Sequence, residues 1–188
     1  LEERVDDRRA GGGEGLQQHA QHTLVAARGG VVESGLPVLA SIGNGESVAP
    51  FNDALLDAME KYENVFNTNF IRRIDGSGLS MVVMPGYYDP NYIHPPDGCH
   101  YTADHVKQLD RLAKSKHGKP VVVISHGPPK YEGPDGLDVI HNGDNVGDSA
   151  LSALINGNGI GFGIFGHILE AGGRGVDKAG KAVAPNTK

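Results

Sequence analysis

The sequence predicts an α/β protein, a layered β-sandwich of mixed sheets flanked by helices. Three observations point there. Short apolar runs alternate with segments of helical periodicity, the pattern of layered α/β folds. Residues 121–124 (Val-Val-Val-Ile) are unbroken β-branched chain, as a central strand covered on both faces requires. Residues 69–74 and 79–84 flank Asp75-Gly76-Ser77-Gly78, a turn signal that makes them a strand pair and the sheet mixed.

Element by element, residues 16–28 place Leu16, Ala20, Leu24 and Ala27 at helical spacing before Gly29-Gly30. Residues 36–42 read as a strand. A helix follows with Pro50 in its first turn and Phe51, Leu55, Met59 and Tyr62 on one face. The strand pair comes next, then a loop over 86–100 rich in Tyr, Pro, Asp and His. Thr102 caps a helix with Val106, Leu109 and Leu112 on one face, and Gly118 stops it. After the 121–124 strand a long loop, 127–148, leads to a short helix over 149–155 and a last strand over 161–165.

The 188 residues suffice for one domain with a sizeable core. Residues 1–15 are charged and then glycine-rich, which predicts a disordered or linker segment before a single domain over 16–188. The chain starts at Leu1 and stops in a polar stretch; we read it as a fragment, a processed product or an incomplete sequence. The net charge of −6, without a long Lys/Arg run, argues against nucleic acid as a partner. Cys99 is the only cysteine, so no internal disulfide forms, and a reducing, cytoplasmic setting is expected. No apolar stretch approaches a membrane span.

Three motifs each follow an apolar run that reads as a buried strand: Gly43-Asn44-Gly45-Glu46, Ser125-His126-Gly127-Pro128-Pro129, and Gly166-His167-Ile168-Leu169-Glu170; since the motifs must converge, the strands over 36–42, 121–124 and 161–165 are expected to be neighbours in one sheet. Taken alone, Asn44 suits a tight turn as well as a ligand role, and His126 suits a core histidine with one hydrogen bond. Ser125 and His126 are adjacent on a strand, so they face opposite sides and cannot pair as nucleophile and base.

In this order the motifs resemble those of the calcineurin-like metallophosphoesterases, which read Gly-Asn-His-Asp/Glu, a lone His after a strand, and Gly-His-x-His. The resemblance covers about residues 35–175. It implies a metal-dependent hydrolase of phosphate mono- or diesters, with Asn44, His126 and His167 as ligands of a divalent ion (Mn, Zn or Fe). It also exposes departures. Gly45 stands where the family has the histidine beside the leaving group, which leaves the catalytic residue unassigned. Leu169 stands at the second His of Gly-His-x-His, and no Asp-x-His or Gly-Asp strand precedes Asn44. His19 and His22 sit on the first helical segment and read as solvated. The expectation is one half of a two-metal centre, with metal at reduced occupancy. The alternative is a degenerate, non-catalytic member used as a binding or assembly module. In the long loops, His141 and Asn145 are the candidates for substrate contact, and Arg174 is a candidate phosphate partner or a solvated cation.

Overall fold

In the computed structural model, residues 35–115, 118–157 and 160–183 are described. The segments expected over 1–15 and 16–28 lie outside them. The described residues form two sheets and three α-helices, an α/β arrangement.

Strand β1 (Val38–Ala40) leads to helix α1 (Val48–Lys61) and returns through β2 (Val65–Asn67), which pairs with β1 in parallel. Phe51 and Leu55 of α1 bury against Ile42 and Val65 and form one core. The hairpin of β3 (Arg73–Asp75) and β4 (Ser80–Met84) closes as Asp75-Gly76-Ser77-Gly78 predicts: Gly76 N–H donates to Leu79 O at 2.9 Å. A loop containing a 3₁₀ turn at Pro90–Tyr92 leads to helix α2 (Ala103–Lys114). The Thr102 N–H donates to His105 Nδ1 at 3.0 Å, so the cap at Thr102 is reinforced from the first turn. Strand β5 (Val121–Ser125), helix α3 (Ser149–Gly157) and strand β6 (Phe162–Phe165) follow, with a 3₁₀ turn at Leu169–Ala171.

The second sheet runs β3-β4-β5-β6, with β4, β5 and β6 parallel. Val82, Met84 and Val123 pack against Val106 and Leu109 of α2 and against Leu151 and Leu154 of α3, the larger core. Register aligns Met84, Ser125 and Phe165. Three parallel strands therefore end level at one edge, where ligands gather in α/β sheets.

Two expectations need correction. The first motif strand was expected beside the other two in one sheet. It pairs instead with β2, a strand not expected from the sequence, and joins the larger sheet through the Gly86 N–H to Ile42 O bond of 2.9 Å. The last motif strand was expected to be buried. Among the described residues β6 pairs on one side only, and Phe162 and Ile164 are 66% and 61% exposed. No helix among the described residues is long and apolar enough to cross a membrane.

Candidate metal centre

β1 delivers Asn44 to the edge where β5 and β6 end. The turn is clamped by the 86–100 loop: Asn44 Nδ2 donates to Tyr92 O at 2.8 Å, and His94 N–H donates to Asn44 O at 2.9 Å. A carbonyl only accepts, so Nδ2 must face Tyr92 and Oδ1 must face the other way. That oxygen lies 2.8 Å from His126 Nε2.

His126 follows β5 directly. Gly43 makes room for its ring, since a Cβ at Gly43 would sit 2.8 Å from His126 Cε1. Gly127 does the same for Tyr87, with a Cβ 2.6 Å from the Tyr87 ring. β6 is tied to this point by Gly166 N–H donating to His126 O at 3.0 Å. His167 then takes φ +66°, the left-handed region, alone among the described non-glycine residues. Such a conformation costs on the order of 1 kcal/mol or more and gathers at functional sites. Here it accompanies a His167 Nδ1 placed 3.1 Å from His126 Nε2.

The sequence-predicted ligands therefore converge. Oδ1 of Asn44 accepts only, so the His126 Nε2 proton points to it, with His167 Nδ1 as a second acceptor. Three donor atoms share one proton. Burial lowers the pKa of His126, the neighbouring His167 lowers it further, and Glu46 opposes both. Burial, then His94, lowers the pKa of His167. Both rings are therefore held neutral at neutral pH, the form that ligates metal.

An ion about 2.0–2.1 Å from each of two tetrahedral donors separates them by about 3.3 Å. The observed 2.8 and 3.1 Å fall a few tenths of an ångström short of that edge. The donor set fits a divalent ion of the Mn, Zn or Fe class. It contains no carboxylate, and no group of three or more His, Cys, Asp or Glu with metal-holding geometry occurs among the described residues.

Several groups at the site were not singled out from the sequence. Tyr87 is buried, its ring 4.6 Å from that of His167 and 6.1 Å from that of His126. Burial pushes its phenol well above the ordinary range, so it stays protonated. Glu46 accepts from Gly43 N–H at 3.1 Å and braces the turn. The signal for Tyr87 was its position just after β4, the third strand of the aligned edge.

The two departures have geometric consequences. A Cβ at Gly45 would meet nothing within 4 Å, so the place of the family histidine is open space. Leu169 is 91% exposed, turned to solvent. Beside His167 a groove of about 360 Å³ has Leu137, Ile164, Phe165 and Leu169 as apolar walls and Arg174 as its cation.

The loop candidates stand apart from this cluster. No hydrogen bond or ring contact joins His141 or Asn145 to Asn44, His126 or His167. His141 is exposed, and its backbone N–H donates to Glu170 Oε1 at 3.1 Å. Asn145 is committed to its own loop, with Nδ2 donating to Asp138 Oδ1 at 2.8 Å and Gly133 O at 3.2 Å.

No family model matches the chain, and no curated protein matches it. A solved crystal structure superposes with a TM-score of 0.66 at 15% identity, over 92% of this chain and 65% of its own. At that identity the likeness is one of fold alone, and this chain spans about 65% of that protein's length.

Proposed function

We propose that this chain is a calcineurin-like phosphoesterase domain, of the layered sandwich kind, in which Asn44, His126 and His167 hold one divalent ion for a phosphate mono- or diester. The observation that carries this reading is the spacing of the three donor atoms, 2.8 and 3.1 Å about His126 Nε2, close to a tetrahedral edge. The ion would supply Lewis-acid charge to a phosphoryl oxygen. The residues supply the rest. The Tyr92 carbonyl keeps Asn44 Oδ1 turned inward. His126 frees its Nε2 lone pair by carrying its proton on Nδ1 instead, a neutral tautomer. Arg174 offers charge to a second phosphoryl oxygen, and Leu137 and Phe165 offer apolar surface to the ester's organic group. The single cysteine supports a reducing compartment such as the cytoplasm.

Three neutral ligands leave the ion's charge uncompensated, so occupancy is reduced. Gly45 and Leu169 favour a second reading, a non-catalytic member that binds a phosphoester or assembles with other chains. Gly45 brings no acid to the leaving group, and Leu169 faces solvent.

Calorimetric titration with zinc and manganese, joined to an assay on an aryl phosphodiester, tests both readings. One ion per chain is expected, weakened about tenfold or more by His126→Ala or His167→Ala, with negligible turnover. Two tightly held ions per chain would mean that further ligands exist. Robust metal-dependent turnover abolished by His126→Ala would overturn the non-catalytic reading.

A further inference from the structure

The groove beside His167 takes its walls from Leu137 and from the stretch between Gly163 and Arg174. β6 supplies Ile164 and Phe165, and a run of tight turns then carries the chain back along the opening. Ile168 N–H donates to Gly166 O at 2.8 Å, Ala171 N–H to Ile168 O at 3.2 Å, and Arg174 N–H to Ala171 O at 3.0 Å. The backbone of this wall is therefore bonded to itself and holds Arg174 at the groove. Gly163 sets the floor, since a Cβ there would collide with the Phe165 ring. The volume, about 360 Å³, is that of a small-molecule site.

The chemistry of the walls is narrow. Ile164 and Leu169 are largely exposed, with Phe162 next to them on β6, and exposed apolar side chains gathered in one place mark a binding surface. Only His167 and Arg174 among the walls carry polar side chains, and no wall is a carboxylate. Arg174 is exposed and forms no ion pair with another described residue. In a chain of net charge −6, this is an apolar slot with a cation at its border. A ligand rich in hydroxyls would lose water there and find no side chain to replace it. A hydrocarbon loses nothing on entering, and an anionic head finds Arg174.

We propose that the groove holds the organic group of the ester and that this group is an apolar chain, so the substrate class is an alkyl phosphate rather than a sugar or nucleotide phosphate. The inference rests on the one-ion phosphoesterase reading and names its substrate. Arg174 and the metal centre take the phosphoryl end, and Leu137, Ile164, Phe165 and Leu169 cover the chain.

The test is calorimetric titration of the full chain with ethyl, butyl and hexyl phosphate below their micelle-forming concentrations, once with zinc and once in chelator. Affinity is expected to rise about two- to fourfold per methylene, the scale of half to full burial of a CH₂ group. Glycerol phosphate should bind about tenfold weaker than butyl phosphate. Ile164→Ser and Leu169→Ser alter exposed side chains, so the fold tolerates both, and each should flatten the dependence on chain length. Arg174→Gln should weaken every phosphate by one common factor, about three- to tenfold, and leave that dependence as it was. The dependence on chain length reads the groove, and the gain in affinity from zinc reads the metal centre. His126→Ala should remove the gain from zinc and keep the dependence on chain length, so failure of the groove and failure of the metal reading are distinguishable. Affinity independent of chain length, glycerol phosphate binding as tightly as butyl phosphate, or no binding of hexyl phosphate at about 10 mM would each overturn the proposal. So would a dimer in sedimentation that Ile164→Ser dissolves, which would give this face to a second copy of the chain.

Discussion

The 127–148 loop and the Asn44–His126–His167 cluster both gather polar side chains, and they use them in opposite ways. In the loop, Asp138 is fully buried and engaged through both oxygens: Oδ2 accepts from Tyr131 and Gly147 N–H at 3.1 and 3.0 Å, and Oδ1 accepts from Asn145 at 2.8 Å. Each of these three donors has its acceptor within the loop. In the cluster, lone pairs outnumber protons, since two neutral imidazoles and an amide oxygen face one another around a single N–H. A saturated network stabilises its own fold. A network with surplus lone pairs is open to a cation. Polarity alone does not mark a binding site; the mismatch between donors and acceptors does.

The largest effect should therefore fall on the loop and show in stability. Asp138→Ala strands three donors that the carboxylate now satisfies, at about 1–3 kcal/mol each. We expect a loss of about 3 kcal/mol or more in urea denaturation. A loss below about 1 kcal/mol would mean that water replaces the carboxylate and that the loop is not the closed network described.

The cluster should instead respond in metal affinity, and two glycines separate geometry from ligand identity. Gly43→Ala drives a methyl to 2.8 Å from the His126 ring, whereas Gly45→Ala meets open space. Zinc affinity should fall about tenfold or more in the first, because a ligand held off position costs about as much as losing its support. It should stay within about threefold in the second. Equal effects from the two would show that Gly43 does not set the imidazole's position.

Much of this was legible in the sequence, and the failures share a cause. Phe51 and Leu55 on one face announced α1, Val106 and Leu109 announced α2, and Asp75-Gly76-Ser77-Gly78 announced the β3–β4 turn, because each signal is local. β2 was missed because Val65-Phe66-Asn67 is three residues among asparagines, too short for a period. β1 was assigned to the wrong sheet because strand partners are chosen by distant residues. The three cluster residues were legible because each follows a strand in a short motif. The Tyr92 carbonyl that orients Asn44 was not, since a backbone oxygen has no sequence signature. Asn145 was put forward for substrate contact because its partner, Asp138, carries no mark of burial in the sequence.

A smaller effect is expected with pH. Both cluster histidines have lowered pKa values in the folded chain, so the unfolded chain binds their protons first as pH falls. Their contribution to stability is then complete above about 6.5, the unfolded value. It is lost as pH drops through the lower folded values. Zinc binding should weaken over the same window, as protons compete for the imidazoles. A His126→Gln variant should show a shallower decline in stability below about pH 6.5 than the parent. An unchanged slope would place the titration elsewhere.

The smallest effect belongs to His141, the loop histidine the sequence put forward. Its side chain is 82% exposed, and Nδ1 lies 3.9 Å from Glu170 Oε1. An exposed pair at that distance contributes little, about 0–1 kcal/mol. The contact that orders the backbone is the His141 N–H to Glu170, and alanine keeps it. His141→Ala should change unfolding free energy by less than about 0.5 kcal/mol and leave zinc affinity where it was. Glu170 lies three residues beyond His167 in sequence and accepts from the His141 N–H in space, so the experiment has a sharp alternative. A zinc affinity reduced about tenfold by His141→Ala would mean that the 127–148 loop reaches the cluster through Glu170. The contrast between the Asp138 network and the histidine cluster would then give way to one connected site.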